Sequence, residues 1–196
     1  INPPGKNNAM GTAGSLYSPL DMLELDPKLI DKNDPRTPQE QFKEFVSACH
    51  DRDIRVMVDM PSCASYDLYL AKPELMAKDR YGLAKTPQGW EDIRMFQPWK
   101  DEGKRTLNPE LLEYHRKFVD MMIDAGVDGI RADVARAKPV EFWDIIIPYS
   151  RKRNPEFAWL AETYTYEDAS PQANMPYDRP EDSLRAGFDA YYGQYH

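Results

Sequence analysis

Cysteine is nearly missing from this sequence. Cys49 and Cys63 are its two thiols. Two are too few for a disulfide framework, and no CxxC spacing suggests structural zinc. Histidine is as scarce: His50, His115 and His196 are the full set. The first two fall in helical stretches and the third at the end, so a His-rich metal centre is not expected. No run approaches the 18 or more apolar residues of a membrane span. Basic charge is also short, with 25 Lys and Arg against 33 Asp and Glu, a net charge of −8. Nucleic acid is therefore not expected as a partner, because phosphate binding needs a basic face. The opening "INPPGKNN" has no initiator Met and no signal peptide, and the closing "AGFDAYYGQYH" has no polar tail. Both ends read as cut from a larger protein. Localisation is not legible here; the reading leans slightly to the cytoplasm.

What is abundant is proline, 17 residues, and aromatic side chains, 12%. Prolines imply long, shaped loops. Aromatics imply either core or flat platforms for a ring-shaped ligand. With 196 residues, 41% of them hydrophobic, the chain is long enough for one domain with a real core.

Regular elements alternate. "TPQEQFKEFVSACHDRD" predicts a helix, with Thr37 as N-cap, Pro38 in the first turn and Glu40 completing a capping box. Phe42, Phe45, Val46 and Cys49 would form its buried stripe. "DIRVMVDM" predicts a strand ending near Asp59. Residues 61–108 show turns at "TPQG" and "DEGK" but little periodicity, the mark of an excursion or small subdomain. "NPELLEYHRKFVDMMIDAG" predicts a helix capped by Asn108 and stopped by Gly126, with Leu111, Leu112, His115, Phe118, Val119 and Met122 inward. A strand through "VDGIRAD", a helix from Pro139 and a strand "FAWLAE" follow. "FDAYYGQY" would begin one more strand. Alternation of this kind means a parallel α/β sheet.

Asp59, Asp133 and Glu162 then each stand at the C-terminal end of a strand, the rim where parallel sheets and barrels place their chemistry. Arg131 and Asp133 are two apart and share a face. A cation beside a carboxylate favours its charged form, so Arg131 should keep Asp133 ionised. Glu162 follows the apolar run "FAWLA" and should hold its proton more tightly. One ionised and one protonated carboxylate facing a common space, about 5–5.5 Å apart, is the machinery of retaining glycoside hydrolysis. Taken singly, each acid could equally be structural, an ion pair or a turn cap.

The motifs also resemble a family. "GIRADVAR" is similar to the nucleophile strand of the alpha-amylase superfamily (glycoside hydrolase family 13), "LAET" to its acid/base strand and "DIRVMVDM" to its third strand. "GSLYSPLDMLELDP" resembles the segment after strand two, and "TLNPELLEYHRKFVDMMIDAGVDGIRAD" the run into strand four. The resemblance implies part of a (β/α)8 barrel, from the end of strand two to strand five or six. Residues 1–60 and 109–196 would be barrel, and 61–108 an excursion after strand three. It implies an alpha-glucan substrate, Asp133 as nucleophile and Glu162 as general acid/base. Arg131 would hold the nucleophile, Tyr17 stack on sugar, Asp59 support the site, and Arg136 touch sugar on the leaving-group side. Arg136 is otherwise a solvated arginine and Tyr17 a core tyrosine.

Departures accompany the likeness. The family's Asn and His after the third strand are Cys63 and Ala64 here, and a further His is Ala137. That Asn often binds calcium, so no cofactor is expected and a calcium site, though open, is doubtful. The altered third-strand motif is reminiscent of maltosyltransferases. A third carboxylate, in an "NHD"-like stretch, is missing from these residues, so the chain is expected to be inactive alone. Trp90, Phe96, Trp99, Tyr164 and Tyr166 could stack on sugar or pack inside. Two rival readings stand: a non-catalytic scaffold on the same barrel, and a barrel whose acids ligate a divalent cation.

Overall fold

The computed structural model describes residues 1–7, 14–87, 90–163 and 180–193. Helix α1 (Pro38–His50) starts as predicted. The Thr37 amide donates to Glu40 Oε2 at 2.7 Å, and the Glu40 amide donates to Thr37 Oγ1 at 3.2 Å. Strand β1 (Met57–Met60) follows. The excursion contains β2 (Cys63–Ala64), α2 (Tyr66–Ala71), β3 (Arg94–Met95), β4 (Trp99–Asp101) and β5 (Thr106–Leu107). Strands β2 and β3 pair antiparallel, as do β4 and β5. Then come α3 (Pro109–Asp124), β6 (Gly129–Ala132), α4 (Val140–Arg153), β7 (Ala158–Glu162), α5 (Pro180–Arg185) and β8 (Ala190–Tyr192).

The main sheet runs β1-β6-β7-β8, parallel throughout. Its order follows the chain, as successive crossover units require. Alternation along each strand divides the sheet into two faces. Val58, Met60, Ile130, Ala132, Trp159 and Ala161 are buried toward the helices. They share one core with Leu111, Phe118, Val119 and Met122 of α3 and Phe142, Trp143, Ile146 and Ile147 of α4. The predicted inward face of α3 is buried in full, His115 included. Asp59, Arg131 and Tyr192 fall on the other face.

The stripe predicted on α1 is corrected. Val46 alone of the four is buried; Phe42 and Cys49 are half-buried and Phe45 is 57% exposed. The Phe42 and Phe45 rings stack on each other at 6.5 Å and line a groove with Ile1, Leu25, Leu29 and Ile30. The physical reason is cover: Val46 reaches the core and Phe42 packs against it, while Phe45 lies on the exposed side of the helix.

Glycine matters at one strand position. Gly129 sits opposite Ala158 in the β6–β7 ladder. A Cβ added there would lie 2.6 Å from the Ala158 carbonyl oxygen. Backbone cannot yield cheaply in a central ladder, so Gly129→Ala should cost about 1–3 kcal/mol. Thermal unfolding of the purified variant checks this, and an unchanged midpoint would contradict the close approach.

Candidate active site

The strand register brings the acids together. Asp59 of β1 lies directly across from Arg131 of β6, and Glu162 of β7 directly across from Tyr192 of β8. Asp133 follows β6 immediately, tied by its amide to the Met60 carbonyl at 3.1 Å. Arg131 is the hub. Its Nη1 donates to Asp59 Oδ1 at 2.7 Å and to Asp133 Oδ1 at 3.1 Å. Its Nη2 lies 2.8 Å from Glu162 Oε2. Its Nε donates to the Tyr192 hydroxyl at 2.7 Å. The planar fork of arginine allows this division of donors, which a lysine could not match. Tyr17 stands over the guanidinium at 5.7 Å and donates its hydroxyl to Asp59 Oδ2 at 3.3 Å. It is 42% exposed, so the core-tyrosine alternative does not hold.

Asp133 and Glu162 meet at one guanidinium, each within ion-pair distance of Arg131. The protonation expectation is corrected accordingly. Burial first, then the neighbouring Glu162, push Asp133 up to about 7, against the opposing pull of Arg131. Arg131 divides its charge among three carboxylates, so it cannot hold Asp133 fully ionised by itself.

The backbone is strained at the same point. Val134, next to Asp133, has φ 37° and ψ 60°, a left-handed conformation that β-branched residues rarely adopt. In this posture its amide donates to Glu162 Oε2 at 3.0 Å. Such strain persists where surrounding structure enforces it, often at functional sites.

Arg136 lies in the short turn Ala135–Ala137 and is buried, so the solvated alternative is excluded. In the excursion, Phe96 and Trp99 are buried, while Trp90 is 51% exposed. Tyr164 and Tyr166 lie outside the described residues. Calcium does not fit at Cys63. The thiol is buried and pushed up to about 11, a neutral sulfur where calcium demands oxygen ligands. Among the described residues no cluster of three or more His, Cys, Asp or Glu could hold a metal ion. Sequence reasoning missed Tyr192, Ser62 and Lys138. Ser62 donates to Asp133 Oδ2 from Oγ at 3.3 Å. The signal for Tyr192 was its place in the run "FDAYYGQY", at the C-terminal end of the last strand; Ser62 and Lys138 left none.

No family model matches the chain. Among curated proteins, it is 37% identical over 132 residues to an alpha-1,4-glucan:maltose-1-phosphate maltosyltransferase of Corynebacterium glutamicum, covering 64% of this chain and 19% of that protein. It is 25% identical over 170 residues to a cyclomaltodextrinase of a Bacillus species, covering 78% of this chain and 28% of the relative. Among solved structures, an alpha-amylase from Lactobacillus plantarum matches with a TM-score of 0.77 and 28% identity, over 98% of this chain and 43% of that one. The chain thus spans less than a third of the curated relatives' length. The four-stranded parallel sheet and its helices are part of a (β/α)8 barrel.

Proposed function

We propose that this chain, which belongs to the alpha-amylase superfamily as a divergent member, carries the nucleophile and the acid/base of a retaining enzyme acting on alpha-glucans. The observation that supports this best is the joining of Asp133 and Glu162 to one arginine at the C-terminal ends of adjacent barrel strands. A scaffold has no need of a strained, buried acid pair. A divalent-cation site would set a second cation against Arg131, which already occupies the space between the acids.

Double displacement needs one ionised and one protonated carboxyl group, about 5–5.5 Å apart across the bound sugar. Asp133 then faces Arg131 and Ser62, both donors, which favour its anion. The proton is left to Glu162. Asp133 attacks the anomeric carbon while Glu162 protonates the departing glycosidic oxygen. Glu162 next takes a proton from water or a sugar hydroxyl, whose oxygen displaces Asp133. Tyr17 offers a ring face to the bound sugar, Asp59 steadies Arg131, and Arg136 contacts sugar on the leaving-group side. With half the barrel's strands among its described residues, the chain alone is proposed to be inactive on alpha-glucans.

The acid role gives a test in the full-length protein. Glu162→Gln should lower turnover of maltooligosaccharides by about 10²–10⁴-fold. Formation of the covalent intermediate from an aryl glycoside with a good leaving group should survive much better, because that departure needs no proton. Equal losses on both substrates would remove Glu162 as the acid. Sizing the wild-type products by chromatography separates the two outcomes of the second step: chains longer than the substrate indicate transfer, and only shorter ones indicate hydrolysis.

A further inference from the structure

Behind the carboxylates lies a cation that the scheme above does not use. Lys138 is 1% exposed. Its Nζ stands 5.1 Å from the Phe96 ring and 5.8 Å from the Phe142 ring, and it donates to the Ser62 carbonyl at 3.2 Å. Ser62 in turn donates to Asp133 Oδ2, from Oγ at 3.3 Å and from its amide at 3.5 Å. A single residue therefore separates a buried ammonium from the Asp133 carboxylate, on the side opposite Arg131's contact with Oδ1.

A buried cation is costly unless something answers its charge. Three titratable groups face Lys138: Cys63, His115 and Asp133. The Cys63 thiol is pushed up to about 11 by burial and stays neutral. His115 is driven well below its ordinary range by burial and by Lys138 itself, so its imidazole is neutral too. It sits edge-on between Phe96 and Phe142, at 5.4 and 5.0 Å. Asp133 is left as the group that can supply the negative charge. Lys138 is pulled down to about 8 by burial, with Asp133 opposing, so it is still an ammonium at neutral pH.

We propose that Lys138 is a positioning residue for the nucleophile: through Ser62 it orients the Asp133 carboxylate, and it sets a buried positive charge behind it. This rests on Asp133 being the nucleophile. Two cations then flank Asp133, one on each side. Both favour its anion, the form that attacks the sugar.

The test uses the full-length protein with Lys138→Met and Lys138→Arg, each checked for folding by thermal unfolding. Lys138→Met should lower kcat about 10–100-fold with KM held within about twofold. The acidic limb of its kcat–pH profile should move up by about one unit, since a nucleophile without its cation ionises later. Lys138→Arg should restore part of kcat and return the limb toward the wild-type position. A folded Lys138→Met with an unmoved limb, or no rescue by arginine, would overturn the proposal. Should Lys138→Met not fold, Ser62→Ala removes the Oγ link alone; a several-fold loss of kcat supports the relay and an unchanged kcat overturns it. Turnover by Asp133→Asn would instead discard the nucleophile assignment. Carbon-13 titration of the Asp133 carboxyl separates the two failures: its midpoint should rise in Lys138→Met, and a fixed midpoint refutes Lys138 whatever the activity shows.

Discussion

Asp133→Asn is expected to abolish turnover and, above neutral pH, to make the protein more stable. The loss should be on the order of 10⁴–10⁶-fold in kcat, the scale seen when a nucleophile is removed from a preorganised site. The gain in stability follows from linkage. Asp133 is pushed from the ordinary carboxylate range up to about 7 in the folded protein. A folded acid that holds its proton more tightly than the unfolded chain does loses stability as pH rises from about 4 to about 7, and carries the full penalty above that. Below about 4 both states are protonated and the penalty vanishes. Asparagine keeps the shape and cannot ionise. At pH 8 the variant should therefore exceed the wild type by about 2 kcal/mol, less than the full shift implies because it also gives up the ion pair with Arg131. At pH 4 the two should melt together. Differential scanning calorimetry across this range reads the effect; a variant equally or less stable at pH 8 would mean that Asp133 is not the strained acid of the pair. Such an outcome would be the exchange of stability for activity expected of the proposed catalytic centre.

The elements of the sheet were legible because their signals are local. Thr37 with Glu40, Asn108, and the apolar spacing of Leu111, Phe118 and Met122 each announce a helix within a few residues. The acids were legible because each closes a short apolar run, and Arg131 because its spacing to Asp133 places both on one face. What escaped depends on distances the sequence does not carry. The contact between Asp133 and Glu162 spans 29 positions and reverses the simple expectation that an adjacent arginine keeps an aspartate ionised. Arg131 seemed sufficient when it had one carboxylate to serve; it has three. Lys138 reads as an ordinary lysine at the end of a turn, and only packing against Phe96 and Phe142 shows that it faces inward. Phe45 erred in the other direction. Its helical spacing promised burial, but periodicity states which face is apolar and not whether anything covers it.

Arg131→Met should be the more damaging substitution, because it removes the common counter-charge of Asp59, Asp133 and Glu162. Arg131 is 14% exposed, and its two more buried acids are so to a similar degree, 13% for Asp133 and 16% for Glu162. Taking one partner out of a buried ionic cluster typically costs about 3–5 kcal/mol, since the remaining charges are left unanswered. Methionine fills much of the same volume, so the loss would be electrostatic and not a cavity effect. That distinction has a pH signature. Without the guanidinium, which opposes the upward shift of Asp133, that carboxyl holds its proton still more tightly than in the wild type. The penalty is complete at high pH and fades as pH falls toward the unfolded value near about 4. The gap in melting temperature between wild type and Arg131→Met should thus be wide at pH 8 and narrow steadily toward pH 5. A cavity or misfolding effect would keep the gap constant. Arg131→Lys sharpens the point further. It restores one positive charge but not the fork that reaches Asp59, Asp133, Glu162 and the Tyr192 hydroxyl together. It should recover much of the stability at pH 8 while kcat remains down by about 10²-fold or more, because the nucleophile is charged but no longer aimed. If the lysine variant instead matched wild-type turnover, charge alone would suffice and the shared guanidinium would lose its place at the centre of the site.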